Sequence, residues 1–379
     1  MKVCYITHAS NLTGASQSLL DLLSEINRSD VSPIVLLGRH GPLEDELKAR
    51  NVPYKLIWYA HDIRSNNPVK NLAKRIVNRI ATLRIRRFLK AENVDLVHNN
   101  SFLVRVGMEA AYRARIPYIC HNREMVWKGL HVRLLSQKRQ YFLLQNAACA
   151  IEISNAVHEY YSRLVPDATY RVLSDGICKE RYSLDRGAIL QGETVELLMA
   201  GRIEPPKGQL IAIKAIELLN GRATERLHLT IVGSVGDPSY LKAVQDYIAD
   251  KNLSNISLLS FSDLEQMRRN CDIVLVCSVA EGLGRVTVEG MLAGCLVIGA
   301  ASGATTELIT HNETGLLFET DNPADLADKI ALALSSPEAM NAIAQNGRRW
   351  ADAHFDISEY CTELVSIYNE ILGKCHNER

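Results

Sequence analysis

Net charge is absent from this chain: 43 Lys and Arg balance 43 Asp and Glu across 379 residues. No nucleic-acid partner is expected of it. The nine cysteines are odd in number and scattered, with no C-x2-C pair. That argues against a disulfide framework and a zinc site, and for a reducing cytosol. No run approaches the ~20 apolar residues of a membrane-spanning helix. Met1-Lys2 leads straight into a predicted strand, Val3 to Thr7, so no signal peptide is expected. There is no solenoid repeat, no low-complexity tract and no D-x-D sequence. The expectation is a cytoplasmic protein, soluble or peripheral on the inner membrane face.

What is present is a long alternation of strand, loop and helix signals, with 47% apolar residues, enough for two ordinary cores. Such alternation predicts α/β architecture with parallel sheets covered by helices on both faces. In the first half, strands are expected at Lys2–Thr7, Ser32–Leu37, Pro53–Tyr59, Asp95–Asn100, Pro117–Asn122, Ala147–Ser154 and Tyr170–Ile177. In the second they fall at Thr194–Ala200, Leu227–Val232, Ile256–Phe261 and Ile273–Val276. A linker near 178–192 divides a first domain, 1–183, from a second, 184–355, and the apolar stripe of 356–379 predicts an amphipathic helix. Charge is uneven: residues 1–183 carry 27 Lys and Arg against 16 Asp and Glu, and the remainder 16 against 27. A basic first half points to an anionic partner. Much of that charge lies on a predicted helix, 69–91, where Arg75, Arg79, Arg86 and Lys90 form one stripe beside an apolar one of Leu72, Ile76, Ile80 and Leu83. The apolar stripe suits either packing on the sheet or contact with anionic lipid headgroups, although Arg87 interrupts it.

The most informative stretch is Cys277 to Gly315. Ile273 to Val276 reads as a buried parallel strand, because β-branched residues dominate without polar alternation. The chain then turns through Gly282 and Gly284 into a helix expected at Val286–Ala293, ending at Gly294. Two glycines before a helix N-terminus let backbone N–H groups approach an anion, and the helix dipole adds attraction. Glu281 lies on that loop at the carboxyl end of the strand, where open α/β sheets bind ligands, and Glu289 lies about a turn further on. Two carboxylates beside an anion site suit a ligand that is both polyol and phosphate. Taken alone, two glutamates eight apart are more readily a solvated loop charge and an exposed helix residue.

The full run, Ser278-Val-Ala-Glu281-Gly-Leu-Gly-Arg-Val-Thr-Val-Glu289-Gly-Met-Leu-Ala-Gly294, resembles the Glu-x7-Glu element of the retaining glycosyltransferases of family 4, the group 1 type with the GT-B fold. Gly201-Arg-Ile-Glu-Pro-Pro-Lys207-Gly208 resembles that family's Gly-Arg-Leu-x-x-x-Lys-Gly. Leu173-Ser-Asp-Gly-Ile177 is similar to its Pro-Asn-Gly-Val turn, with Ser174 and Asp175 in place of Pro and Asn.

The resemblance implies two Rossmann-like domains facing across a cleft, a returning C-terminal helix, and a nucleotide-sugar donor held mainly by the second domain. It gives the diphosphate to Arg202, Lys207 and the amides around Gly282, Leu283, Gly284 and Arg285, the sugar hydroxyls to Glu281 and the ribose to Glu289. Ser234, Phe261 and Ser262 are implied near the base, and His121 near the donor sugar, with His98 a weaker neighbour. Gly14 matches a loop glycine facing the donor phosphates; its other reading is entry to a helix. The implied activity is retaining transfer from a nucleotide-diphosphate sugar to a glycan, lipid-linked or small-molecule acceptor in surface polysaccharide or glycolipid assembly. With no D-x-D, neither a metal nor another cofactor is required. Two rivals remain at this point, a non-catalytic nucleotide-sugar-binding subunit and a doubly wound enzyme of other chemistry such as a sugar epimerase. Retention of Arg202, Lys207, Glu281 and Glu289 speaks against the first.

Overall fold

Leucine-rich and β-branched runs form two parallel sheets in the computed structural model, which describes residues 1–126, 132–183, 186–219, 226–260 and 264–377. The first sheet contains β1 (Lys2–Ile6), β2 (Ser32–Leu37), β3 (Tyr54–Leu56), β4 (Leu96–Asn99), β5 (Tyr118–Asn122), β6 (Cys149–Glu152) and β7 (Tyr170–Val172), ordered β3-β2-β1-β4-β5-β6-β7. The second contains β8 (Val195–Ala200), β9 (Leu227–Val232), β10 (Ile256–Leu259), β11 (Ile273–Val276), β12 (Leu296–Ala300) and β13 (Leu316–Phe318), ordered β10-β9-β8-β11-β12-β13. β4, β5, β6, β11 and β12 are buried along their whole length, as strands covered on both faces must be.

Each sheet reverses its winding once, beside its first strand. In the first sheet β1 pairs with both β2 and β4; in the second β8 pairs with both β9 and β11. The loops that leave two such neighbours diverge to opposite sides of the sheet and open a crevice at the strands' carboxyl ends.

The chain divides into two compact units, Met1–Ile177 with Asp356–Arg379, and Cys178–Phe355. Residues 178–183, expected in the first domain, therefore belong to the second unit. Lys179 pairs there with Asp352 at 3.4 Å, and the Arg268 guanidinium lies over the Tyr182 ring at 5.2 Å. The C-terminal helix, Ile357–Asn377, belongs to the first unit. Asp356 caps it by accepting from the Ser358 and Glu359 N–H groups, and Tyr360, Leu364, Ile367, Tyr368 and Ile371 are buried along one side.

Several expected strands come out shorter, among them β3, β6, β7 and β10. β3 ends at Leu56, and Tyr59 instead turns inward to donate its hydroxyl to the Thr7 carbonyl. β7 ends at Val172, because Ser174 donates to the Ile153 carbonyl and the Asp175 carboxylate is taken by Arg123. β10 ends at Leu259, and the remainder of that expected strand reaches residues 261–263, outside the described residues.

The basic helix spans Pro68–Ala91, with Pro68 in its first turn and the Asn67 side chain capping the Val69 and Lys70 N–H groups. Its buried side is Asn78, Ala81, Thr82, Ile85 and Leu89. Asn78 fixes this rotation, because its amide bonds both the N–H and the carbonyl of Ala60, at 2.9 and 3.0 Å. Leu72, Ile76, Ile80 and Leu83 consequently face solvent, so packing of that stripe on the sheet is ruled out. Among the described residues, no helix is long and apolar enough to cross a membrane.

Gly208 shows how tightly the second crevice is built. It has φ +73°, and a Cβ there would overlap the Cys277 carbonyl oxygen on the neighbouring loop. Gly208→Ala incurs roughly 1–2 kcal/mol for the left-handed backbone before any steric displacement. The thermal midpoint of the variant should fall by about 4 °C or more; an unchanged midpoint would show that the two loops are not in close apposition.

Candidate functional site

β8 and β11 run side by side, with Ile273 opposite Leu197 and Val274 opposite Leu198, so the loops that follow them emerge together. The Val279 N–H donates to the Pro206 carbonyl at 3.0 Å, joining the two loops through the backbone. Lys207 then lies opposite Glu281, and its Nζ donates to Glu281 Oε1 at 2.6 Å. A third loop braces the Glu281 loop through its backbone: the Ala304 N–H donates to the Glu281 carbonyl at 3.1 Å, and Ser302 Oγ to the Ser278 carbonyl at 2.8 Å. Gly303 is required there. It has φ +53°, and a Cβ would come within 2.7 Å of the Glu281 carbonyl oxygen.

Burial alone would push the Glu281 carboxyl up, but the Lys207 ammonium beside it more than offsets this and holds it below its ordinary value. The folded pKa thus lies below the unfolded one. The pair's contribution to stability is complete above the ordinary carboxylate range and fades as pH falls through the lowered value.

The helix expected at Val286–Ala293 forms at Arg285–Leu292, entered through Gly284 at φ +85°. It ends in a Schellman turn around Gly294, φ +73°, with the Gly294 N–H bonded to the Met291 carbonyl and the Cys295 N–H to that of Gly290. The first turn carries no acidic residue, which leaves the helix N-terminus open to an anion. Glu289 does not share a partner with Glu281. Its two oxygens are held by Arg268, on the preceding helix, and by Arg285 at 3.3 Å, all three side chains being nearly buried. Arg202 is half-exposed and pairs with Glu204 at 3.1 Å. Ser234 is exposed, and its carbonyl accepts from the Ile203 N–H at 2.9 Å. Gly282 is partly exposed and Leu283 is buried on the same loop as Glu281. Phe261 and Ser262 lie outside the described residues. Nothing in the sequence pattern marked Arg268 or Glu204, because each is recognisable only through its distant or loop-mediated partner.

In the first unit, Gly14 is the exposed first residue of a helix, Gly14–Ile26, capped by Thr13. His121 is the penultimate residue of β5 and wholly buried, as is His98 on β4. His121 Nδ1 lies 3.1 Å from His98 Nε2 and accepts from Arg123 at 3.2 Å. His98 Nδ1 is bonded to the Tyr368 hydroxyl of the C-terminal helix at 2.6 Å. Asp175, one of the two residues that depart from the family turn, is neutralised by Arg123.

Comparison with known proteins supplies the frame for these observations. Residues 13–176 match the glycosyl transferase 4-like domain model and residues 185–350 the glycosyl transferases group 1 model. An uncharacterised glycosyltransferase of Methanocaldococcus jannaschii is 26% identical over 297 residues, covering 76% of this chain and 78% of its own. The D-inositol 3-phosphate glycosyltransferase of Corynebacterium efficiens is 28% identical over 233 residues, 58% of this chain and 54% of its own. Among solved structures, Anabaena HepE in complex with UDP and glucose superposes with TM-score 0.82 at 22% identity, covering 97% of this chain and 99% of its own. Sucrose-phosphate synthase from Thermosynechococcus elongatus gives TM-score 0.79 at 16% identity, covering 99% and 100%. With both halves matched and two Rossmann-like units in the GT-B arrangement of strands, the chain belongs to the family 4, group 1 glycosyltransferases.

Proposed function

We propose that the protein transfers a sugar, with retention of anomeric configuration, from a nucleoside-diphosphate sugar to a glycan, lipid-linked or small-molecule acceptor. The observation that carries this reading is the Lys207–Glu281 pair at the crevice between β8 and β11. A diphosphate entering there meets Lys207, Arg202 and the open N-terminus of the helix Arg285–Leu292. A planar guanidinium and a point-charge ammonium are complementary ways of holding phosphate oxygens. Glu281, held through Oε1 by Lys207, accepts from a sugar hydroxyl. Glu289, braced by Arg268 and Arg285, takes the ribose, and His121 contacts the donor sugar. Gly14 faces the donor phosphates, and Ser234, Phe261 and Ser262 serve the base. The UDP in the Anabaena HepE crystals makes uridine the first nucleotide to test.

The chemistry is electrostatic. As the glycosidic bond to the diphosphate breaks, negative charge grows on the leaving phosphate, and fixed cations stabilise that charge more than they stabilise the bound donor. No carboxylate is assigned as a nucleophile on the opposite face of the sugar, so the acceptor attacks on the face the diphosphate leaves, and the leaving phosphate helps remove its proton. Arg202 and Lys207 do the work that a bridging metal does in D-x-D enzymes. Glu281→Ala and Lys207→Ala should each keep the fold and lose roughly 2–4 kcal/mol of transition-state stabilisation, about 30- to 1,000-fold in kcat/KM. Turnover should persist in EDTA. Full kcat/KM in both variants would remove the site, and EDTA-abolished, Mg²⁺-restored turnover would remove the metal-free reading.

The acceptor, on this proposal, is presented at the anionic inner face of a membrane during surface polysaccharide or glycolipid assembly. The support is the helix Pro68–Ala91, whose apolar stripe from Leu72 to Leu83 is exposed, 59% at the first and 43% at the last. Arg75, Arg79, Arg86 and Lys90 flank it, each worth ~1 kcal/mol near anionic lipid. Liposome flotation at low salt should recover the protein with anionic vesicles and not with neutral ones, and charge reversal of those four residues should abolish recovery. Equal, negligible binding of the wild type to both vesicle types would end the membrane reading.

A further inference from the structure

Five polar side chains of the first unit, Tyr5, Tyr368, His98, His121 and Arg123, form an unbroken buried series. Its hydrogen bonds can run in only one direction. A guanidinium has no acceptor, so Arg123, at 3.2 Å, must donate to His121 Nδ1, and that nitrogen carries no proton. Both imidazoles are held neutral. Burial, then the Arg123 charge, pushes His98 down to about 3, while burial, Arg123 and His98 push His121 well below its ordinary value. A neutral His121 with a bare Nδ1 carries its proton on Nε2. His98 Nε2, 3.1 Å from that bare Nδ1, must then be the donor, which leaves His98 Nδ1 to accept from the Tyr368 hydroxyl at 2.6 Å. Tyr368, having given its proton to His98, accepts from Tyr5 at 3.2 Å.

The series ends on His121 Nε2–H, a buried donor with no acceptor of its own. The nearest carboxylate oxygen, Asp175 Oδ1, is 3.8 Å away, too far for a hydrogen bond, and is itself without a donor. An unpaired buried donor is costly, and such groups persist where something else requires them. We propose that Tyr368 and His98 are positioning residues: through them the C-terminal helix reinforces the His121 tautomer that Arg123 dictates, so that its Nε2 acts as a hydrogen-bond donor and never as a general base. This rests on the reading of His121 as a donor-sugar contact. It also gives the C-terminal helix, more than 240 residues from His121 in sequence, a part in the reaction besides packing.

Nitrogen-15 NMR of the histidine rings in the wild-type protein, assigned with His98→Gln and His121→Gln, reads the tautomers directly and needs no donor. Both rings should be neutral with the proton on Nε2. A proton on His121 Nδ1, or a charged ring, at pH 7 would overturn the proposal. Tyr368→Phe removes one hydroxyl and keeps the ring. It should shift the His98 Nδ1 resonance and lower kcat by about tenfold, with the donor KM within twofold of wild type. Unchanged nitrogen resonances together with unchanged kcat would reduce Tyr368 to a packing residue and contradict the proposal. The spectrum tests the relay and the Glu281 and Lys207 variants test the donor site, so the two readings fail separately.

Discussion

A lysine and a glutamate 74 positions apart meet at 2.6 Å because two loops leave adjacent parallel strands at the point where the sheet reverses its winding. Much of the second unit's geometry follows from that meeting. Burial works against the charge on Glu281, and Lys207 more than offsets it. The backbone bond from Val279 to Pro206 and the close approach of Gly208 to Cys277 hold the two loops at the required separation. Removing either partner leaves the other partly buried and unpaired, which costs more than the intact pair contributes. The pair is thus a local constraint on structure and a preset electrostatic field for an anion.

The same device recurs with different partners. Glu289 is held by Arg268 and Arg285, Arg202 by Glu204, and in the first unit Arg123 by Asp175. Side chains fixed in this way lose little freedom when a ligand arrives, so the cost of ordering them falls mainly on folding. Arg202 and Glu204 follow the carboxyl end of β8, and Arg123 and Asp175 follow those of β5 and β7; β5 and β8 are largely buried. The unequal charge of the two halves has a structural counterpart in the helix Pro68–Ala91. Its buried side is chosen by Asn78 and a few small and aliphatic residues, which leaves the basic and apolar stripes to solvent.

Sequence alone revealed the strands best where burial on both faces makes them continuous apolar runs. Ile273–Val276 and Leu227–Val232 fall where their β-branched residues place them. It overextended strands where side chains turn away for tertiary partners, as Tyr59 does toward Thr7 and Asp175 toward Arg123. Glu281 and Lys207 were legible because each sits in a long local pattern. Arg268 was not, because its importance lies entirely in a partner 21 positions away that no periodicity predicts. Tyr368 was visible only as part of an amphipathic stripe. Its bond to His98, across 270 positions, depends on where the C-terminal helix docks. The departure of Asp175 from the family turn was readable, and its compensation by Arg123 required the folded unit.

The central claim is that the paired loops of the second unit recognise a diphosphate through Lys207. Isothermal titration calorimetry of uridine, guanosine and adenosine diphosphates, each against its monophosphate, tests it without an acceptor or a complete reaction. At least one diphosphate should bind the wild-type protein about tenfold or more tighter than its monophosphate, the scale of one charge-assisted hydrogen bond. That preference should vanish in Lys207→Ala. Equal affinity for every pair in the wild type, or a preference that survives in Lys207→Ala, would contradict the account.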